Sequence, residues 1–86
     1  MKQFTHIVQS PEGLHARSAM LLAQQTKNMN SQIFVSCNGK TAKVKNMMAV
    51  LALRAFHGTE LFFCLEGPKE EQEAKALEEF CKVKDK

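Results

Sequence analysis

The dipeptide Asn38-Gly39 constrains this chain more than any other feature. Both residues tolerate positive φ, and it is the strongest short signal for a tight β-hairpin. Upstream, Gln32-Ile33-Phe34-Val35-Ser36-Cys37 is a short run of β-branched and aromatic residues with strand character. Lys40 to Val44 therefore returns antiparallel to it. The lysines at 40, 43 and 45 give a solvated edge that discourages strand-to-strand aggregation.

Two further strands accompany this hairpin. Residues 2–9 alternate loosely, with Phe4, Ile7 and Val8 as apolar members, and end at Ser10-Pro11. His6, on this strand, is an ordinary half-exposed side chain. His57-Gly58 reads as a turn into Thr59–Glu66, the strongest strand, where Leu61, Phe63 and Leu65 face the helices and Phe62 and Cys64 lie opposite. Gly67-Pro68 breaks it. A helix over residues 16–28 buries a face of Ala16, Ala19, Leu22, Ala23 and Thr26. Asn46 stands at an N-cap position before the apolar run Met47–Leu53. The last helix, residues 69–83, opens with Glu70, Glu71 and Glu73 and closes with Lys82 and Lys84, an order that suits the helix dipole. Its stripe of Ala74, Leu77, Phe80 and Cys81 assigns it to structure, with no site on it. The order strand, helix, strand, strand, short helix, strand, helix predicts an α+β fold: a four-stranded antiparallel sheet with helices packed on one face.

Eighty-six residues, 44% of them apolar, make one domain over 1–86 that folds without a metal. No apolar run approaches the ~20 residues of a membrane span, and Met1-Lys2 is not followed by a signal-peptide pattern. The three cysteines, at 37, 64 and 81, fit no close metal spacing, and their odd number argues against a disulfide framework. Reduced thiols in a cytoplasm account for them. A formal charge of +3 favours acidic protein partners and is too weak to imply nucleic acid. Phe34 and Phe62 lack the basic, aromatic signature of an RNA-binding sheet. No ordering of His15, His57 and Cys64 suggests a catalytic triad, and no glycine loop suggests a nucleotide, so no cofactor is expected.

The chemistry concentrates in Glu12-Gly13-Leu14-His15-Ala16-Arg17-Ser18-Ala19. Pro11 and Gly13 mark a turn, and the alanine-rich helix begins directly after His15. The first N–H groups of a helix have no internal acceptor, and together with the helix dipole they attract anions. Arg17 adds a permanently charged fork suited to phosphate. Neutral histidine is a nucleophile near pH 7, and a phosphoryl group on its ring lands among these donors. Further along the helix, Arg17, Met20, Gln24 and Lys27 share another face. Met47–Leu53 holds more apolar residues than a short helix hides, so the helix is either wrapped on all sides or partly exposed to a partner. The residues alone leave both open for Met47 and Met48.

The run Gly13-Leu14-His15-Ala16-Arg17-Ser18-Ala19 resembles the motif Gly-Leu/Ile-His-Ala/Thr-Arg-Pro-Ala of the HPr family, the histidine-containing phosphocarriers of the bacterial sugar phosphotransferase system. The likeness continues through Asn38-Gly39-Lys40 and residues 45–53 to the last helix. It implies an open-faced β-sandwich in which His15 accepts phosphate on Nδ1 from phosphorylated enzyme I and passes it to sugar-specific components. It further implies Arg17 as an active residue, a phosphate pocket of Ala16, Arg17 and Ser18, and docking through Met20, Met47, Met48 and Leu51, a surface that Gln24 and Lys27 join by sharing the helix face of Met20. Such a protein is a monomeric cytoplasmic carrier rather than an enzyme, without metal, cofactor or membrane insertion. Three positions depart from the family. Ser18 replaces the usual proline, which loosens the helix start. Asn46 stands where many Gram-positive relatives carry a kinase-phosphorylated serine, and Arg54 stands where relatives often carry glycine. These departures support an alternative, an HPr-like regulatory binding protein with weak or absent transfer.

Overall fold

The computed structural model describes residues 1–85; residue 86, the last of the expected 1–86 domain, lies outside the described residues. The elements follow the expected order: β1 (Lys2–Ile7), α1 (Ala16–Thr26), β2 (Gln32–Cys37), β3 (Lys40–Lys43), α2 (Met47–Leu51), β4 (Glu60–Glu66) and α3 (Glu70–Lys84). The strands form one antiparallel sheet in the order β1-β4-β2-β3.

The hairpin forms because Asn38 and Gly39 both adopt the left-handed region, at φ 52° and 77°. That turn fixes Cys37 opposite Lys40 and Val35 opposite Ala42. Side chains alternate across a strand, so one register buries Ile33, Val35, Cys37, Leu61, Phe63 and Leu65 against the helices. Phe63 sits at the centre, opposite Phe4 of β1 and Val35 of β2. Its ring stacks on Phe4 with centroids 4.8 Å apart. The other face carries Phe34, Ser36, Phe62 and Cys64, with Phe62 51% exposed.

Several details differ from the sequence expectation. Strand β1 ends at Ile7, because Val8 leaves the β4 ladder to bond the Thr59 carbonyl and accept from Gly58. The inward side of β1 carries Phe4 and His6, so Ile7 faces out and His6 is more buried than an ordinary strand histidine. Ala16 is exposed: the first turn of α1 extends past its packed face, which begins at Ala19 and continues through Leu22 to Thr26. Helix α2 is a single short turn closed after Leu51, and Leu53 reaches the core from the loop beyond it. Asn46 caps α2 as expected, its side-chain oxygen accepting from the Ala49 N–H at 3.2 Å. Arg54 follows in the left-handed region at φ 54°, a conformation glycine adopts without steric cost and a side chain does not.

Among the described residues no helix is long and apolar enough to cross a membrane. No group of three or more His, Cys, Asp or Glu residues among them is arranged to hold a metal.

Helix α3 is tied to the loops at both of its ends by carboxylates. Near its start, Glu73 accepts from the N–H of Asn30 at 2.7 Å, the N–H of Ser31 at 2.9 Å and the Ser31 hydroxyl. Burial disfavours the Glu73 charge, but the Ser31 hydroxyl and the Asn30 and Ser31 N–H groups outweigh that and hold its pKa below the usual value. A depressed carboxylate contributes stability above its unfolded pKa, about 4.3, and loses it as pH falls through the folded value. Glu73→Gln is therefore expected to lower stability at pH 7 and to make its decline below about pH 4 shallower. Urea midpoints measured from pH 7 to pH 2.5 check both.

Candidate functional site

The turn before α1 is built around Gly13. Its φ is 74°, and a Cβ there would lie 2.7 Å from the Ala55 carbonyl oxygen and 2.9 Å from the Phe56 Cα. Only glycine allows the two backbones this close. The same approach lets the Leu14 N–H donate to the Ala55 oxygen at 2.8 Å, while the Gly13 N–H donates to the Ser10 oxygen at 2.9 Å. Leu14 then packs against the core. With both neighbours fixed, His15 falls at the N-cap of α1 in extended geometry, φ −119° and ψ −177°. Its carbonyl takes the first helical hydrogen bond, from Ala19 at 2.9 Å.

The His15 side chain makes no capping bond and is 35% exposed. Glu12 Oε1 lies 3.9 Å from Nε2, too far for a hydrogen bond. The N–H groups of Ala16, Arg17 and Ser18 have no acceptor within the helix. An open depression beside the ring is lined by Ser10, Glu12, His15, Arg17, Ser18, Lys84 and Asp85, with Leu21 at its base. Of the residues expected to form the pocket, Arg17 and Ser18 line this depression and Ala16 does not. Among the described residues, Arg17 makes no ion pair and is exposed.

Lys84 and Asp85 bring the end of the last helix, expected to be structural, beside this turn. The end of α3 swings beside the α1 start and forms one wall of the depression. Asp85 accepts from the Gln9 N–H at 2.7 Å and the Ser10 N–H at 3.1 Å, and meets His6 Nε2 at 2.5 Å. Burial disfavours the Asp85 charge, but the Gln9 N–H, His6 and the Ser10 N–H more than offset it, so its pKa stands below the ordinary one. His57 Nδ1 lies 3.2 Å from the Gln9 carbonyl oxygen. Two histidine rings are therefore engaged in holding the loop, while the ring of His15 is not hydrogen-bonded among the described residues. Cys64 lies on the helix-free sheet face, so no triad with His15 and His57 forms.

Of the residues expected to dock a partner, Met20, Gln24, Lys27 and Met47 line one groove between α1 and α2, together with Ala23 and Lys45. Met20 is 43% and Met48 70% exposed. Met47 and Leu51 are only half-buried and pack partly on the core, so α2 is neither wrapped on all sides nor fully free. Sequence reasoning missed Phe56, which is 67% exposed and whose Cα abuts Gly13. The signal available for it was an aromatic residue directly before the His57-Gly58 turn.

Residues 2–82 match the protein family described as PTS HPr component, phosphorylation site. The chain is 32% identical over 79 residues to the phosphocarrier protein HPr of Mycoplasma capricolum, covering 92% of this chain and 89% of that one. A crystal structure of an HPr from Thermoanaerobacter tengcongensis superposes with TM-score 0.88 at 33% identity, covering 95% of this chain and 92% of that one. The Bacillus subtilis catabolite-repression protein Crh, crystallised as a domain-swapped dimer, matches with TM-score 0.75 at 28% identity over 95% and 94% of the two chains.

Gly13→Ala combines a left-handed φ with a collision against rigid backbone. It is expected to cost about 2–5 kcal/mol. Urea denaturation measures the loss, and hydrogen exchange at the Leu14 amide reports whether the bond to Ala55 is broken.

Proposed function

The chain belongs to the HPr family of phosphocarrier proteins, and on that premise we propose that His15 accepts a phosphoryl group from phosphorylated enzyme I and donates it to sugar-specific phosphotransferase components. Members of this family are phosphoryl carriers, not enzymes. The observation that carries the assignment to His15 is its uncommitted ring at a helix start whose N–H groups at Ala16, Arg17 and Ser18 lack acceptors. His6 and His57 have partners instead.

Phosphoryl transfer asks for positioning and charge stabilisation more than for covalent machinery. The Nδ1 lone pair of neutral His15 attacks the phosphorus of a donor phosphohistidine. As the new N–P bond forms, the old one breaks and the donor nitrogen keeps its electron pair. The equatorial oxygens meet the N–H groups of the first turn, and the Arg17 guanidinium shares their charge. The depression is open, which suits a group that must leave for the next acceptor. Further along α1, the groove of Met20, Gln24, Lys27 and Met47 and the exposed Met48 offer flexible apolar contacts beside Lys27 and Lys45. Leu51, half-buried on α2, packs on the core, and Phe56 adds exposed apolar area beside Gly13.

A second reading, an HPr-like regulatory binding protein with weak transfer, draws on Ser18 and Arg54 and on the likeness to Crh. Asn46 has no hydroxyl, so phosphorylation by a serine kinase at that position is ruled out by its chemistry.

Incubation with phosphoenolpyruvate, magnesium and a cognate enzyme I is expected to add one acid-labile phosphate by intact mass, absent from His15→Ala. Arg17→Ala is expected to retain the adduct but slow its formation about tenfold to a hundredfold. No adduct with an enzyme I that phosphorylates another HPr selects the regulatory reading.

A further inference from the structure

The turn that presents His15 is gripped from two sides, and only one grip is explained by Gly13. On that side, the Leu14 N–H bonds to Ala55. On the other side the turn faces the end of α3, where side-chain packing is incomplete. A cavity of about 50 Å³ lies there, bordered by His6, Leu14, Leu21, Phe80 and Asp85. Apolar packing between the turn and α3 is interrupted there.

Hydrogen bonds bridge the same gap. Asp85 Oδ1 accepts from the Ser10 N–H and Oδ2 from the Gln9 N–H, with His6 Nε2 against the same Oδ2. Ser10 is buried, and its carbonyl accepts from the Gly13 N–H. An unbroken path thus runs from the Asp85 carboxylate through the Ser10 peptide to Gly13, two residues before His15. None of its members belongs to the groove between α1 and α2.

We propose that Asp85 is a positioning residue for phosphoryl transfer, holding the Ser10–Gly13 turn so that the His15 ring stands over the N–H groups of α1. The proposal rests on the reading of His15 as the phosphate acceptor. Asp85 does not touch the phosphoryl group; it acts through the backbone of Gln9 and Ser10. His6 orients the carboxylate by occupying one of its oxygens.

The test compares Asp85→Ala and Asp85→Asn with the natural sequence as substrates of enzyme I, well below their unfolding temperatures. A displaced ring lowers kcat while the docking groove is intact, so Asp85→Ala is expected to lose about tenfold in kcat with little change in KM. Asp85→Asn keeps one oxygen acceptor and is expected to fall between. In NMR spectra of the unphosphorylated protein, the Gly13 and Leu14 amides and the His15 ring should shift in Asp85→Ala. A merely destabilised variant holds less folded protein, which raises apparent KM and leaves kcat unchanged; that result overturns the proposal. If the natural sequence itself takes no phosphate, the carrier reading fails separately. The spectra then still decide the positioning: an unmoved His15 ring in Asp85→Ala overturns it, and a moved one upholds it.

Discussion

Everything that distinguishes this molecule at its site depends on the contact between Gly13 and the backbone of residues 55–57. That approach is possible because no Cβ stands between the two segments. It allows the Leu14 amide to reach the Ala55 carbonyl, and so fixes the residue before His15. The histidine is then compelled into the N-cap position, where its own carbonyl starts the helix and its ring is left without a capping task. One steric fact therefore sets backbone direction, helix start and the free state of the His15 ring. The segment it presses on has its own strain, with Arg54 in a left-handed conformation directly before Ala55.

The sheet supplies the rigid base for this arrangement. Its central strand, β4, carries Leu61, Phe63 and Leu65 into the core and pairs on both sides. Helix α3 is fastened across it by Glu73 at one end and Asp85 at the other, each carboxylate satisfying backbone N–H groups of a connecting loop. Such loops lack ladder partners for those N–H groups, and a charged acceptor is a strong way to hold them. The turn before His15 is thus braced by elements far from it in sequence.

Local features were the ones legible in the chain. Asn38-Gly39 announced its hairpin because positive φ is a property of the residues themselves. The alternation in β4 and the cap at Asn46 were equally local. The motif around His15 was legible both by its turn and helix-start pattern and by its family likeness. What escaped the sequence depended on tertiary position. Ala16 fits the apolar periodicity of α1 but extends past the packed face. His6 and Asp85 are separated by 79 positions, and nothing in either neighbourhood indicates that they meet. The end of α3 gives no site signal of its own, because its apolar stripe and dipole-matched lysines are what any packed terminal helix carries. Phe56 gave no periodic signal because it lies in a loop.

The central claim is that His15 takes phosphate on Nδ1, among the N–H groups that open α1. Its most direct measurement is NMR of the phosphorylated protein with ¹⁵N-labelled histidine and backbone. The account predicts a phosphorus-coupled Nδ1 at His15, with the Ala16, Arg17 and Ser18 amides displaced together. Phosphorus on His6, on His57 or on Nε2 of His15, or a labelled His15 with those amides unmoved, would contradict it.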